Sequence, residues 1–137
     1  MKANKIYLYT DGGSRGNPGQ SAIGIVICDA DKQILCSHKE CIGNATNNEA
    51  EYKALIKGLE IAAGHCRGEI CFFSDCELLV RQLNGQYRIK AKNLLELYYE
   101  IQYREKPFKK ITYNHLNRNH KFIQECDNLV NQALDDK

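Results

Sequence analysis

Three strand-patterned segments follow one another at the start of the chain with no helical pattern between them, and this order limits the fold more than any other feature. Residues Lys5–Asp11 alternate Ile6, Leu8 and Thr10 with Tyr7, Tyr9 and Asp11, the period of two expected of a strand with two distinct faces. The glycine-rich stretch Gly12–Gly19 reads as the turn that ends it. Ala22–Cys28 and Gln33–Cys41 read as two more strands joined by Asp29-Ala30-Asp31-Lys32, which makes the first three strands an antiparallel meander.

Helices and strands then alternate. Thr46-Asn47-Asn48-Glu49 has the capping-box spacing, in which a Thr hydroxyl and a Glu three residues on satisfy each other's free backbone N–H groups, so a helix is expected from there to about Ala63. Glu69–Asp75 is a short buried strand, and Glu77–Leu83 a helix stopped by Asn84-Gly85. A basic connector, Gln86–Asn93, leads to a helix over Leu94–Arg104 that breaks at Pro107. Lys109–His115 reads as a fifth strand and Phe122–Leu134 as a final amphipathic helix. The expected class is α/β, a five-stranded mixed sheet in which the antiparallel meander of strands 1–3 joins parallel strands, with helices on its faces.

The 137 residues fit a single domain, 1–137. A composition 43% hydrophobic and 26% charged excludes a disordered or fibrous chain. Apolar runs such as Ile23–Cys28 are far shorter than the roughly 20 residues that cross a bilayer, so no membrane partner is expected. Met1–Lys5 leads into the first strand without the apolar stretch of a secretory signal. Seven cysteines, an odd number with no Cys-x-x-Cys, then point to reduced thiols in the cytoplasm. The net charge of +2 hides an asymmetry: residues 81–121 hold ten Lys/Arg against three acids, and the remainder is acidic. A basic half facing a cluster of carboxylates suits a nucleic-acid groove.

Four acids stand out by position. Asp11 and Asp75 each close a predicted strand, where a turn or a helix cap is the simpler role for either. Glu49 and Glu51 are separated by helical geometry. At about 100° per residue, Glu51 shares a stripe with Leu55, Gly58 and Ala62, whereas Glu49 lies on the opposite face one turn before Lys53. A carboxylate on a buried stripe implies a cation. Asp127 sits at the rim of the apolar stripe formed by Ile123, Val130 and Leu134. Converging acids without matching Lys or Arg call for hard divalent cations, and oxygen-only ligation selects Mg²⁺ or Mn²⁺. Two such ions would suit phosphodiester hydrolysis.

The segments Tyr9-Thr10-Asp11-Gly12-Gly13-Ser14-Arg15-Gly16-Asn17-Pro18-Gly19, Thr46-Asn47-Asn48-Glu49-Ala50-Glu51 and Ser74-Asp75-Cys76-Glu77 resemble, in order, the motifs of type 1 ribonuclease H. The similarity runs from about Lys5 to Leu134. It implies the ribonuclease H-like fold and cleavage of the RNA strand of RNA–DNA hybrids, leaving 5′-phosphate and 3′-hydroxyl ends, with two Mg²⁺ or Mn²⁺ ions held by Asp11, Glu51, Asp75 and Asp127. By position, Gly12, Gly13, Asn17, Asn47 and Asn48 would read RNA 2′-hydroxyls, the group that distinguishes RNA from DNA, with Thr46 near a DNA-strand phosphate.

Members of the family often carry a His or Arg on a loop before the last acid to assist proton transfer or product release. Here His120 is favoured, with Arg118 and His115 as alternatives. In place of a basic protrusion there is the short connector, whose Arg88 and Lys90 would contact phosphates, so the chain looks like the compact archaeal-like branch without a separate hybrid-binding domain. The expected partner is RNA–DNA hybrid, bound by a monomer. RNA–RNA duplex as a further substrate, or a non-catalytic binding domain, are the competing readings.

Overall fold

The computed structural model describes residues 3–137. Its elements run β1 (Ala3–Arg15), β2 (Gly19–Cys28), β3 (Ile34–Ala45), α1 (Asn47–Ala62), β4 (Cys66–Ser74), α2 (Glu77–Leu83), α3 (Lys92–Glu105), β5 (Lys110–His115) and α4 (Lys121–Asp135). The strands form one sheet in the order β3-β2-β1-β4-β5. The β1–β2 and β2–β3 pairs are antiparallel, and β1–β4 and β4–β5 are parallel, which is the mixed sheet the sequence pattern implies.

The period of two in β1 sorts its side chains onto two cores. Ile6 and Leu8 join Ile23, Ile25 and Ile27 of β2, Ile70 and Phe72 of β4, and Leu55 and Leu59 of α1. Tyr9 packs on the other side with Val26, Cys28 and the α4 residues Phe122, Ile123, Cys126 and Leu129. Helix α1 thus covers one face of the central strands and α4 the other. Burial of each such side chain contributes about 1.5–3 kcal/mol, so the register of β1 is firmly set.

The glycine-rich stretch behaves differently from the expected turn. Strand β1 does not stop at Asp11 but continues to Arg15, with Gly12 opposite Ile23 and Gly13 opposite Ala22 in the ladder to β2. The turn shrinks to residues 16–18, where Gly16 takes a φ of 102°, a conformation that favours glycine. Gly12 serves close approach instead. A Cβ there would lie 2.3 Å from the carbonyl carbon of Ala50 in the first turns of α1. Other ends move less: β3 runs on to Ala45, β4 begins at Cys66 and α3 at Lys92.

Because the neighbour of Gly12 is backbone rather than a movable side chain, Gly12→Ala should destabilise the protein by about 2–3 kcal/mol or more. Urea unfolding would show it as a lowered midpoint with an unchanged slope, and a wild-type midpoint would contradict the contact.

Candidate active site

Parallel pairing of β1 with β4 ends at Tyr9 and Phe73, yet β1 continues. Asp11 therefore projects past the carboxyl end of β4, beside Asp75 in the link between β4 and α2. Ligand sites in sheets of this kind gather at such strand ends. Helix α1 supplies the third acid. Its capping box forms as expected: the Thr46 hydroxyl accepts from the Glu49 N–H at 3.1 Å, and the Thr46 N–H donates to Glu49 Oε1 at 2.8 Å. With Glu49 so occupied, Glu51 turns inward and accepts a hydrogen bond from the Gly12 N–H at 2.9 Å.

Asp11, Glu51 and Asp75 each offer an oxygen within 4.8 Å of the others. Asp11 and Glu51 are only 9% exposed. Asp127 joins from α4 on the other side of the sheet, where its side chain shares a hydrogen bond with Asp11. It lies outside the tight trio but lines the same cleft, of about 580 Å³. The simpler roles for two of these acids fail. Asp11 is in mid-strand rather than at a turn, and the N-cap of α2 is Cys76, with no side-chain capping bond from Asp75.

The electrostatics follow from this crowding. Burial, then the charges of Asp75 and Asp127, push the Asp11 carboxyl up to about 8, against the opposing bond from Gly12. Burial and the charges of Asp11 and Asp75 raise Glu51 well above the carboxylate range. Asp75 is raised chiefly by burial and is opposed most strongly by the Arg118 guanidinium. Carboxylates held in their neutral form by burial and by one another's charge, with oxygen as the donor atom of each, form a set suited to a hard divalent cation.

The loop before α4 resolves three residues that the sequence leaves as alternatives. His120, the favoured one, is the N-cap of α4, its Nδ1 accepting from the Phe122 N–H at 3.2 Å. Its ring also stacks on Tyr9 at 5.5 Å. Burial and the neighbouring Lys32 and Lys121 lower its pKa, in keeping with a neutral ring that accepts at Nδ1. His115 Nε2 lies 3.2 Å from the Asp75 carbonyl. Of the three, Arg118 is the one that lines the carboxylate cleft.

Gly12, Gly13, Asn47 and Asn48 also line the cleft. Asn17 and Asn47 are stitched together: Asn17 Oδ1 accepts from the Asn47 N–H at 3.0 Å, and Asn47 Oδ1 from the Ser14 N–H at 2.9 Å. Their amide NH₂ groups are the parts left to meet a ligand. Thr46 is occupied by the capping box. Arg88 and Lys90 are exposed in the α2–α3 connector, away from the residues lining the cleft, with Ile89 between them turned toward the core. The sequence reading passed over Cys76, which hydrogen-bonds to Glu51, and Arg15 at the cleft rim. Extending the period of two through the glycines would have placed Arg15 on the same face as Asp11.

Comparison with known proteins agrees with this geometry. A family model described as reverse transcriptase-like matches residues 9–133. Bifunctional protein Rv2228c of Mycobacterium tuberculosis is 39% identical over 132 residues, which cover 96% of this chain and 36% of that protein. The chain thus spans little more than a third of that relative's length. Ribonuclease HI of Halobacterium salinarum is 35% identical over 145 residues, covering 98% of this chain and 67% of that protein. The crystal structure of ribonuclease H1 from the same archaeon matches with a TM-score of 0.92 at 35% identity, over 97% of this chain and 99% of that one. LC11 ribonuclease H1, crystallised in complex with an RNA/DNA hybrid, matches with a TM-score of 0.87 at 37% identity, over 96% of this chain and 97% of that one.

The raised Asp11 pKa makes stability depend on pH in a definite direction. From the ordinary carboxylate range near 4 up to about 8, the folded protein keeps a proton that the unfolded chain releases. Stability of the metal-free protein therefore falls as pH rises through that window. Asp11→Asn should raise the melting temperature in EDTA by roughly 2–5 °C at pH 8.5 and change it little at pH 5, where the wild-type group is already neutral. A variant no more stable than wild type at pH 8.5 would mean that neither burial nor the neighbouring acids raise this carboxyl.

Proposed function

Because the chain belongs to the type 1 ribonuclease H family, we propose that it hydrolyses the RNA strand of RNA–DNA hybrids, leaving 5′-phosphate and 3′-hydroxyl ends. The observation that carries this reading is the trio Asp11, Glu51 and Asp75 held within 4.8 Å at the floor of an open cleft, where Arg118 faces Asp75 but the buried Asp11 and Glu51 meet no basic side chain that lowers their pKa.

The donor set fits two Mg²⁺ or Mn²⁺ ions, held by the trio together with Asp127. When bound there, such ions activate a water and stabilise the leaving oxygen of a phosphodiester. The chain's own contribution is placement. The Gly12 N–H fixes one oxygen of Glu51, and the Cys76 thiol supports the same side chain. The amides of Asn17, Asn47 and Asn48, with the backbone at Gly12 and Gly13, offer the short polar groups that contact 2′-hydroxyls would need. Arg118 brings positive charge to the Asp75 side of the cleft, which makes it, rather than His120, the loop residue suited to a phosphate or a departing product. Arg88 and Lys90 extend this basic surface outward to phosphates farther along the duplex.

None of the seven cysteines is paired, which accords with a cytoplasmic enzyme. No helix among the described residues is long and apolar enough to cross a membrane. We take the chain to act as a monomer and as a single domain.

End-labelled RNA–DNA hybrid, RNA–RNA duplex and single-stranded RNA, each incubated with Mg²⁺, Mn²⁺ or EDTA, test the proposal. The expected result is metal-dependent cutting of the hybrid. Asp11→Asn should lower that rate by about 100-fold or more while hybrid binding stays within a few-fold of wild type. Equal cutting of RNA–RNA would widen the specificity, and no cutting with either metal would leave a non-catalytic binding domain.

A further inference from the structure

Beyond Gly12, strand β1 and helix α4 run alongside each other with matched spacing. Asp11, Gly13 and Arg15 project from β1 toward α4, and each meets a successive position on it. Asp11 shares a hydrogen bond with Asp127, a Cβ on Gly13 would lie 3.3 Å from Val130 Cγ1, and Arg15 Nη2 is 2.7 Å from Asp135 Oδ1. Four strand residues span about 13 Å and eight helical residues about 12 Å, which is why the partners stay in step. The cleft therefore has the carboxylate cluster at one end and Arg15 at the other, its guanidinium paired with Asp135 beyond the lining, with Asn131 and Leu134 on the wall between.

That ion pair is poorly suited to a purely structural role. Asp135 ends α4, where the helix dipole disfavours an acid, and the last turn of α4 has no basic residue to offset it. The Arg15 and Asp135 side chains are 49% and 64% exposed, a setting in which solvent screening leaves an ion pair little stabilising effect. The end of α4 is also held without it. Lys39 of β3 reaches Asp136 at 3.5 Å and Gln132 at 3.3 Å, and the Cys41 thiol donates to the Ala133 carbonyl at 3.1 Å. Arg15 can let go of Asp135 without freeing the helix. A guanidinium at the rim of a nucleic-acid cleft matches a phosphate as well as it matches a carboxylate.

We propose that Arg15 is a backbone-phosphate contact for the bound hybrid, kept in place by an exchangeable ion pair with Asp135 that gives way to the phosphate on binding. This rests on the ribonuclease H reading and adds a substrate contact about 13 Å along β1 from Asp11. Asp135 acts as a competing anion: it holds the guanidinium extended along the cleft and weakens binding by the cost of displacing it.

Fluorescence anisotropy of a labelled RNA–DNA hybrid across a salt series tests this, with every protein carrying Asp11→Asn so that turnover is blocked. Arg15→Ala should weaken binding by about 3–10-fold and lower the slope of log affinity against log salt by about 0.9, the loss of one phosphate contact. Asp135→Asn should tighten binding by about 2–5-fold, and only while Arg15 is present. Arg15→Gln, which keeps most of the aliphatic stem, serves as a second variant should Arg15→Ala melt early. An unchanged slope without Arg15, or an Asp135→Asn effect that persists in its absence, would overturn the inference. Cleavage of hybrid by the otherwise unaltered chain is measured in parallel. Cleavage with a flat Arg15 response would reject this contact alone, and neither cleavage nor binding would reject the functional reading with it.

Discussion

Where β1 passes beneath the first turns of α1, there is no room for even a methyl group. A Cβ on Gly12 would sit 2.3–2.6 Å from the backbone of Ala50 and Glu51. That approach brings the Gly12 N–H within 2.9 Å of Glu51 Oε1, so one glycine both sets the height of α1 above the sheet and anchors a functional carboxylate. The capping box at Thr46 fixes where α1 begins, and the buried stripe of Leu55, Leu59 and Ala62 fixes its rotation. Once these three conditions hold, Glu51 has one place to point.

The other face of the sheet supplies its acid in the same manner. Tyr9 follows Leu8 on the opposite side of β1 and packs against Phe122 and Phe73, with the His120 ring stacked over it. This aromatic group, together with the His120 cap, settles where α4 starts. Asp127, one residue after the buried Cys126, is thereby carried to the edge of the cleft. Because β1 outruns β4, acids from two faces and two strands meet at one opening. The cluster follows from unequal strand lengths as much as from the residues themselves.

Patterns tied to burial were readable from the residues. The alternation of Ile6, Leu8 and Thr10 against Tyr7, Tyr9 and Asp11 predicts the two cores, and helical geometry alone separates Glu51 from Glu49. What the sequence could not show was why a glycine was present. A glycine that permits a turn and one that admits a helix backbone look the same in a chain, so Gly12 and Gly13 read as turn and β1 read four residues short. The same ambiguity affected Asp75, where a free carboxylate and a helix cap share a residue type and a position. It affected His120 too, since only the contacts with Tyr9 and the Phe122 N–H distinguish a cap from a mobile catalytic group. Arg15 was missed because its importance depends on the strand continuing past the glycines.

With no cation bound the carboxylate cluster is strained by its own charge: burial and the neighbouring acids push Asp11 up to about 8, so that it keeps its proton at neutral pH, and they raise Glu51 in the same direction. A cation that enters must displace the Asp11 proton. Isothermal titration of the metal-free protein with Mg²⁺ or Mn²⁺ at pH 7, repeated in buffers of different ionisation enthalpy, measures the displacement directly. The account predicts saturable binding with about one proton released, and loss of that release in Asp11→Asn. Saturable binding without proton release, or no binding, would contradict it.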